Sequence, residues 1–314
     1  MTSRPDRVVV VGPNPAMDLI LEVAALDPGE SHRAQQAMHL AGGKPVNVAR
    51  TLRRLGIDVS LVSPLGGHLG PAQLIREACT ALGIDLQATE IGEETRTCVV
   101  IADAATGEAT VVNERGPHLS GDEADAYRSS VEKTLRPGGI VVMSGSLPPG
   151  LPADFYAHVV EHAHAVGART IVDTSGEPLR LALEAGPRAV KVNGDELLAV
   201  TGATSVDEAA LQLGKAIPHV AVTLGSAGSL YVGPDGVSRL PALPVTVTNP
   251  TGAGDAFLAG LVAGLVRGHP WLAALAEATS AAALVCGRLG PDIGTTAGPA
   301  GSGTETAIET SVNG

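Results

Sequence analysis

The chain has 314 residues, 44% of them hydrophobic, and a net charge of −12 at pH 7. That acidity argues against nucleic acid or an anionic membrane as a partner. Only 2% of the residues are aromatic, so the core has to be Val, Leu, Ile and Ala, which suits helices packed on a mostly parallel sheet better than an aromatic-rich sandwich.

Cys79, Cys98 and Cys286 are scattered, with no C-x-x-C. This pattern fits a reduced, cytoplasmic compartment and offers no zinc site. The first seven residues lack the apolar core of an export signal, and no run approaches about 18 apolar residues, so neither export nor membrane spanning is expected.

In chain order, Val8–Val11 is a β-branched run closed by Gly12 and predicts a buried first strand. Leu19–Leu40 and Arg96–Glu114 alternate or are β-rich, with a turn at Asp103–Gly107. They predict antiparallel hairpins in a small added sheet, with lid insertions at about 15–40 and 93–115. Asn47–Leu55 predicts a helix, with Val48, Leu52 and Leu55 on one face and Gly56 as its stop. Val59–Val62 follows as a strand and Gln73–Leu82 as a helix ended by Gly83. The later strands are Ile140–Met143, Thr170–Val172, Ala189–Val192, Val220–Thr223 and Leu230–Val232. Between them Phe155–Ala165, Glu177–Ala185, Asp195–Thr201 and Val206–Ala216 read as helices. Pro270–Arg288 is a long Ala-rich helical stretch, and residues 294–314, without periodicity, are expected to be a disordered tail. Strand–helix alternation of this kind predicts an α/β fold with a central, mostly parallel sheet.

The chemistry-bearing residues fall at the ends of these elements. Asn14 and Asp18 follow the first strand at its carboxyl end, where open α/β sheets bind ligands. A carboxylate there suits a grip on two sugar hydroxyls, though for any single Asp a solvated turn is the commoner explanation. Gly42-Gly43-Lys44-Pro45-Val46-Asn47 allows close backbone approach to a ligand, or is a plain loop with an Asn cap. Arg96 suits bidentate phosphate contact or simple exposure on a strand. His158 and His162 are spaced to share a metal, but the segment supplies no further ligand.

Asn193, Asp195 and Glu196 sit where a strand becomes a helix. They could organise Mg²⁺ through water or complement the helix dipole. Thr223-Leu-Gly225-Ser-Ala-Gly228 exposes backbone N–H groups to a phosphate, or is a hairpin turn.

The sharpest signal is Asn249-Pro-Thr-Gly-Ala-Gly-Asp-Ala-Phe257. A Gly-rich turn feeding a helix offers unpaired N–H groups and the positive end of the helix dipole to an anion. A carboxylate there, Asp255, would compete with the anion, but it is well placed to take a proton from a hydroxyl that attacks a phosphoryl group. A simple N-cap Asp is the alternative.

In this order, Gly42-Gly43 with Asn47, Gly145-Ser146-Leu-Pro-Pro-Gly150, Asn193 with Glu196, Thr223 to Gly228 and Gly252 to Asp255 resemble the ribokinase-like (PfkB) carbohydrate kinases over roughly residues 8–290. Ser144-Gly-Ser-Leu-Pro-Pro-Gly150, Ile171-Val-Asp173-Thr-Ser-Gly176, Thr95-Arg96 and Asn113-Glu114-Arg-Gly-Pro117 resemble the branch of 1-phosphofructokinase, tagatose-6-phosphate kinase and minor 6-phosphofructokinase. The resemblance implies a Rossmann-like body with a β-sheet lid and transfer of the ATP γ-phosphoryl group to a sugar hydroxyl. Asp255 would be the base, and the N–H groups of Gly252, Ala253 and Gly254 the anion hole. Asp18, Gly42, Gly43 and Asn47 would meet the sugar, with Ser146 in the substrate loop. Lys44 and Arg96 would face a substrate phosphate. Asn193, Thr223, Gly225 and Gly228 would serve the nucleotide, and Glu196 the Mg²⁺.

Three positions depart from that pattern. Pro45 replaces a Gly, Cys98 an Asn, and Asn249-Pro-Thr251 is closer at Thr251 to kinases of unphosphorylated sugars. Against these departures, the branch resemblance implies a kinase of a hexose phosphate such as fructose 1-phosphate, fructose 6-phosphate or tagatose 6-phosphate. A kinase for a free sugar or nucleoside, and a catalytically silent sugar- or nucleotide-binding protein, stay open as alternatives. A homodimer through the lid sheets is also expected, because an inserted hairpin leaves apolar surface and open edges.

Overall fold

A computed structural model describes residues 8–248, 250–288 and 290. Asn249 and the expected tail at 294–314 lie outside them. The first half runs β1 (Val8–Val11), β2 (Ala16–Val23), β3 (Gln36–Gly42), α1 (Lys44–Arg54), β4 (Val59–Gly66), α2 (Pro71–Leu82), β5 (Asp85–Ile91), β6 (Arg96–Asp103), β7 (Ala109–Asn113) and α3 (Gly121–Thr134). The second runs β8 (Ile140–Ser144), α4 (Phe155–Val166), β9 (Arg169–Asp173), α5 (Gly176–Glu184), β10 (Ala189–Asn193), α6 (Gly194–Thr201) and α7 (Val206–Leu213). It closes with β11 (His219–Thr223), β12 (Ser229–Gly233), β13 (Gly236–Leu240), α8 (Ala253–Val266) and α9 (Trp271–Cys286).

The main sheet has nine strands in the order β13-β12-β11-β10-β9-β8-β1-β4-β5. From β5 to β11 the pairing is parallel, and β12 and β13 add an antiparallel edge. Alternate strand residues feed two cores. Val9 and Val11 join a core that includes Tyr127 and Phe155 from α3 and α4, while Val8 and Val10 join one that includes Val48 and Leu52 from α1 and Leu258 from α8. The body is thus three layers, helix–sheet–helix, as the Val- and Ala-rich composition predicts. The strand order reverses at β1, between β8 and β4, so the ends of β1 and β8 form the crevice where such sheets bind ligands.

The second sheet has the order β3-β2-β6-β7. Its outer pairs are antiparallel, as expected, but its central pair, β2 and β6, is parallel in the register Ala16↔Arg96 to Val23↔Asp103. The two segments can join side by side because each leaves the body from the carboxyl end of a parallel strand, β1 for one and β5 for the other. The Asp103–Gly107 turn is held by Asp103, whose Oδ1 accepts the N–H groups of Ala105 (2.8 Å) and Thr106 (3.2 Å).

β5, α3 and β13 are additions to the elements expected from sequence. α3 opens with a Ser120–Glu123 capping box but buries only Tyr127 and Val131, so its apolar periodicity is weak. α1 starts three residues earlier than expected, at Lys44. Pro45 is tolerated there because an N–H in the first helical turn has no intrahelical partner to lose.

Candidate active site

A cleft of about 1500 Å³ runs along the carboxyl ends of the parallel strands, under the lid sheet. Of the expected site residues, Asn14, Gly42 and Asp195 do not line it, while Asp18, Gly43, Lys44, Asn47, Arg96, Ser146, Asn193, Glu196, Thr223, Gly225, Gly228, Gly252, Ala253, Gly254 and Asp255 do. Gly42 lies beneath Asp18. A Cβ at Gly42 would fall 2.0 Å from Asp18 Oδ2, so this glycine makes room for the carboxylate instead of meeting a ligand. Asp18 is 6% exposed and accepts a hydrogen bond from the Gly43 N–H at 3.3 Å. Burial raises its pKa against the pull of Arg50, that hydrogen bond and Arg96.

Asp255 occupies the first turn of α8, 6% exposed. Gly252 caps that helix with a left-handed φ of 84°, a conformation open to glycine with little strain. Asn47 Nδ2 donates to Asp255 Oδ2 at 3.0 Å, and Asn47 Oδ1 accepts from Arg50 Nη1 at 2.9 Å. Asn47, expected on a sugar hydroxyl, is thus also the group that orients Asp255. Burial pushes the Asp255 carboxyl up to about 6; Lys44, the Asn47 hydrogen bond and Lys191 oppose the rise, and Asp173 adds to it.

Beneath this carboxylate lies a cluster that the sequence reading does not assemble. Asp173, at the end of β9, is fully buried. Its Oδ1 is 3.2 Å from Lys44 Nζ and its Oδ2 3.1 Å from Lys191 Nζ. Burial works against its charge, but the two ammonium groups override that and hold its pKa below the ordinary carboxylate range. Lys191 lies on the neighbouring strand β10, one step past the Val190↔Val172 pair, so its side chain shares a face with that of Asp173. A Cβ placed on Gly254 would sit 3.0 Å from Lys191 Nζ, which puts this ammonium directly against the glycine turn. Lys44 also approaches Glu196 Oε1 at 3.8 Å.

Asn193 and Glu196 form a reciprocal cap on α6: Asn193 Oδ1 accepts the Glu196 N–H at 2.8 Å, and Glu196 Oε2 accepts the Asn193 N–H at 2.9 Å. The cap fixes the Glu196 carboxylate at the cleft and leaves Oε1 facing Lys44. Asp195, on the same turn, is exposed and does not line the cleft. Thr223 to Gly228 is a turn between the antiparallel strands β11 and β12, so it is both the hairpin and a cleft wall.

At the lid end, Arg96 is committed to main chain. Its Nη1 donates to the Glu114 carbonyl at 2.7 Å and its Nη2 to the Asn14 carbonyl at 2.9 Å. Asn14 Nδ2 donates to the Arg115 carbonyl at 2.9 Å and to Ser146 Oγ at 3.1 Å, which ties the lid to the β8 loop. Arg115, which the sequence reading does not single out, is an exposed residue lining the cleft next to this junction. Among the described residues its guanidinium has no ion-pair partner. Cys98 sits in register with Asp18 on the same lid face. The histidine helix is ordinary surface, with His158 paired to Asp154 at 3.2 Å. Among the described residues no cluster of three His, Cys, Asp or Glu could hold a metal unaided. None of their helices is long and apolar enough to cross a membrane.

An α/β body with a lid sheet, and a buried carboxylate beside a glycine turn at a helix start, is the frame of a carbohydrate kinase. The family model for pfkB family carbohydrate kinases matches residues 5–297, and the chain belongs to that family. It is 36% identical to a 1-phosphofructokinase of Xanthomonas campestris pv. campestris over 83% of this chain and 84% of that protein. It is 33% identical to a tagatose-6-phosphate kinase of Staphylococcus epidermidis over 81% of this chain and 84% of that protein. The phosphofructokinase-2 of Escherichia coli, solved in complex with fructose-6-phosphate, superposes with a TM-score of 0.83 and 26% identity over 90% of this chain and 94% of that one.

Proposed function

We propose that this chain transfers the γ-phosphoryl group of ATP to a hydroxyl of a hexose phosphate, with Asp255 as general base. The observation that carries the reading is the meeting of Asp255 with the Gly252–Gly254 turn and with Lys44 and Lys191 at one point of the cleft. A base held by Asn47 accepts the proton of the attacking hydroxyl. The N–H groups of Gly252 and Gly254, with the two ammonium groups, offset the charge on the transferring group; the Ala253 N–H, expected in the same anion hole, is donated to the Pro250 carbonyl at 3.2 Å. Phosphoryl transfer needs such positioning and charge neutralisation more than covalent chemistry.

Asn193, Thr223, Gly225 and Gly228 line the nucleotide end. One carboxylate, Glu196, whose Oε1 faces the cleft at 3.8 Å from Lys44, fits Mg²⁺, which keeps several waters and takes phosphate oxygens for the rest. The ion would neutralise nucleotide phosphate charge there. At the lid end Asp18 suits sugar hydroxyls, while Arg96 and Arg115 suit a substrate phosphate. The named relatives act on hexose phosphates, in keeping with this end of the cleft.

The lid face opposite the cleft carries the partly exposed Met17, Leu19, Leu21, Val99 and Ile101 together with exposed Val112. This apolar face supports a homodimer through the lids.

The test is ATP consumption over a panel of fructose 1-phosphate, fructose 6-phosphate, tagatose 6-phosphate, free hexoses, ribose and nucleosides. Turnover fastest on a phosphosugar is expected. Preference for a free sugar or nucleoside would replace the substrate class, and no turnover on any member would favour a silent binding protein.

A further inference from the structure

We propose that Asp173 is a positioning residue of the transfer site: its buried carboxylate holds the ammonium groups of Lys44 and Lys191 on the cleft floor and keeps both off Asp255. The proposal rests on the reading of Asp255 as the base.

The geometry is a fork. Each carboxylate oxygen takes a different lysine, Oδ1 to Lys44 and Oδ2 to Lys191. The Asp173 backbone is fixed as well, since its carbonyl accepts the Gly145 N–H at 3.0 Å. A pair built only for stability would need one cation for one buried carboxylate. Here two cations grip one carboxylate, and Lys44 also reaches Glu196 Oε1 at 3.8 Å, so Asp173 ties both ammonium groups to the cleft floor beside the Gly252–Gly254 turn, where an anion is the natural complement.

Asp255 is faced by Lys44 and Asn47 from α1, by Asp173 from β9 and by Lys191 from β10, while Glu196 from α6 faces Lys44. If Asp173 is made neutral, the strongest anion left within reach of both ammonium groups is Asp255. They would then close on it, hold it ionised and take up the oxygens that a substrate hydroxyl has to reach. Asp173 therefore supplies two separate effects. It aims the cations at the transferring group, and its own charge keeps Asp255 a competent proton acceptor.

The test uses the full chain, ATP, Mg²⁺ and whichever of fructose 1-phosphate, fructose 6-phosphate or tagatose 6-phosphate is turned over. Asp173→Asn should lower kcat on the order of 100-fold with the sugar KM within about threefold. It should also move the acid limb of the kcat/KM profile to lower pH by about one unit, because a negative charge beside Asp255 is gone and the lysines turn towards it. Lys191→Met, which keeps Asp173 paired with Lys44, should lower kcat and move the same limb to higher pH. A residue that only stabilises the fold would lower the melting temperature and leave the limb in place.

An unmoved limb in Asp173→Asn overturns the proposal. If that variant does not fold, an unmoved or lowered limb in Lys191→Met overturns it instead. Asp255→Asn, assayed alongside, separates the two readings. If it is inactive while the limbs stay fixed, only the positioning role fails, and if it turns over normally both fail.

Discussion

Asp255→Asn is expected to trade activity for stability. The carboxyl is raised from 3.8 to about 6, so at pH 7.5 it is ionised in a site that favours its neutral form. The difference corresponds to about 3 kcal/mol of folding free energy withheld at neutral pH. The sign follows from linkage. The native state binds this proton more tightly than the unfolded chain does, so the cost is full above pH 6, shrinks as the pH falls and is gone below 3.8.

An Asn at 255 is neutral at every pH, and its side-chain oxygen can still accept from Asn47 Nδ2. The realised gain should therefore be about 1–3 kcal/mol, which raises the melting temperature by roughly 2–5 °C for a chain of this size. Turnover should fall about 10²–10⁴-fold with the loss of a general base. The assay is thermal unfolding of both proteins at pH 7.5 and pH 4.5, beside steady-state kinetics. The variant should be the more stable at pH 7.5, with the gap narrowing at pH 4.5. A variant equally or less stable at pH 7.5 would refute the burial argument, and one with unchanged kcat would refute the base.

Other outcomes follow from the same geometry. Arg115→Ala should raise the phosphosugar KM about tenfold, the loss of roughly 1.4 kcal/mol from one charged contact, with kcat and melting temperature unchanged; an unaltered KM would remove Arg115 from the phosphate end. Arg96→Ala should raise the same KM and also lower the melting temperature, because two carbonyls at the lid junction lose their donor, and a KM effect without any thermal effect would contradict that bracing. Gly12→Ala should destabilise by about 1–3 kcal/mol through overpacking, since its Cβ would lie 2.2 Å from Pro45 Cβ. Pro45→Gly in that background should restore most of the loss in a denaturant titration, and no restoration would show that the clash lies elsewhere.

Much of this protein was legible in sequence because the signals are local. Val8–Val11 and its β-branched counterparts announce parallel strands, and Gly252–Asp255 announces an anion turn with a carboxylate. The order of such motifs identifies the family and most of the residues that line the cleft. What sequence alone does not reach is the pairing of distant side chains. Lys44 and Asp173 are 129 positions apart, and Asn47 and Asp255 are 208 apart. Each of these residues has an ordinary local explanation until the sheet brings them together. Only the strand order β10-β9-β8-β1 sets Lys191 beside Asp173 under the start of α1. Only the lid junction shows Arg96 spent on carbonyls, and Arg115, among the described residues, without an ion-pair partner. The parallel centre of the lid was hidden for the same reason. Hairpin signals are read within one segment, whereas the β2–β6 pairing joins two segments that meet only in the folded chain.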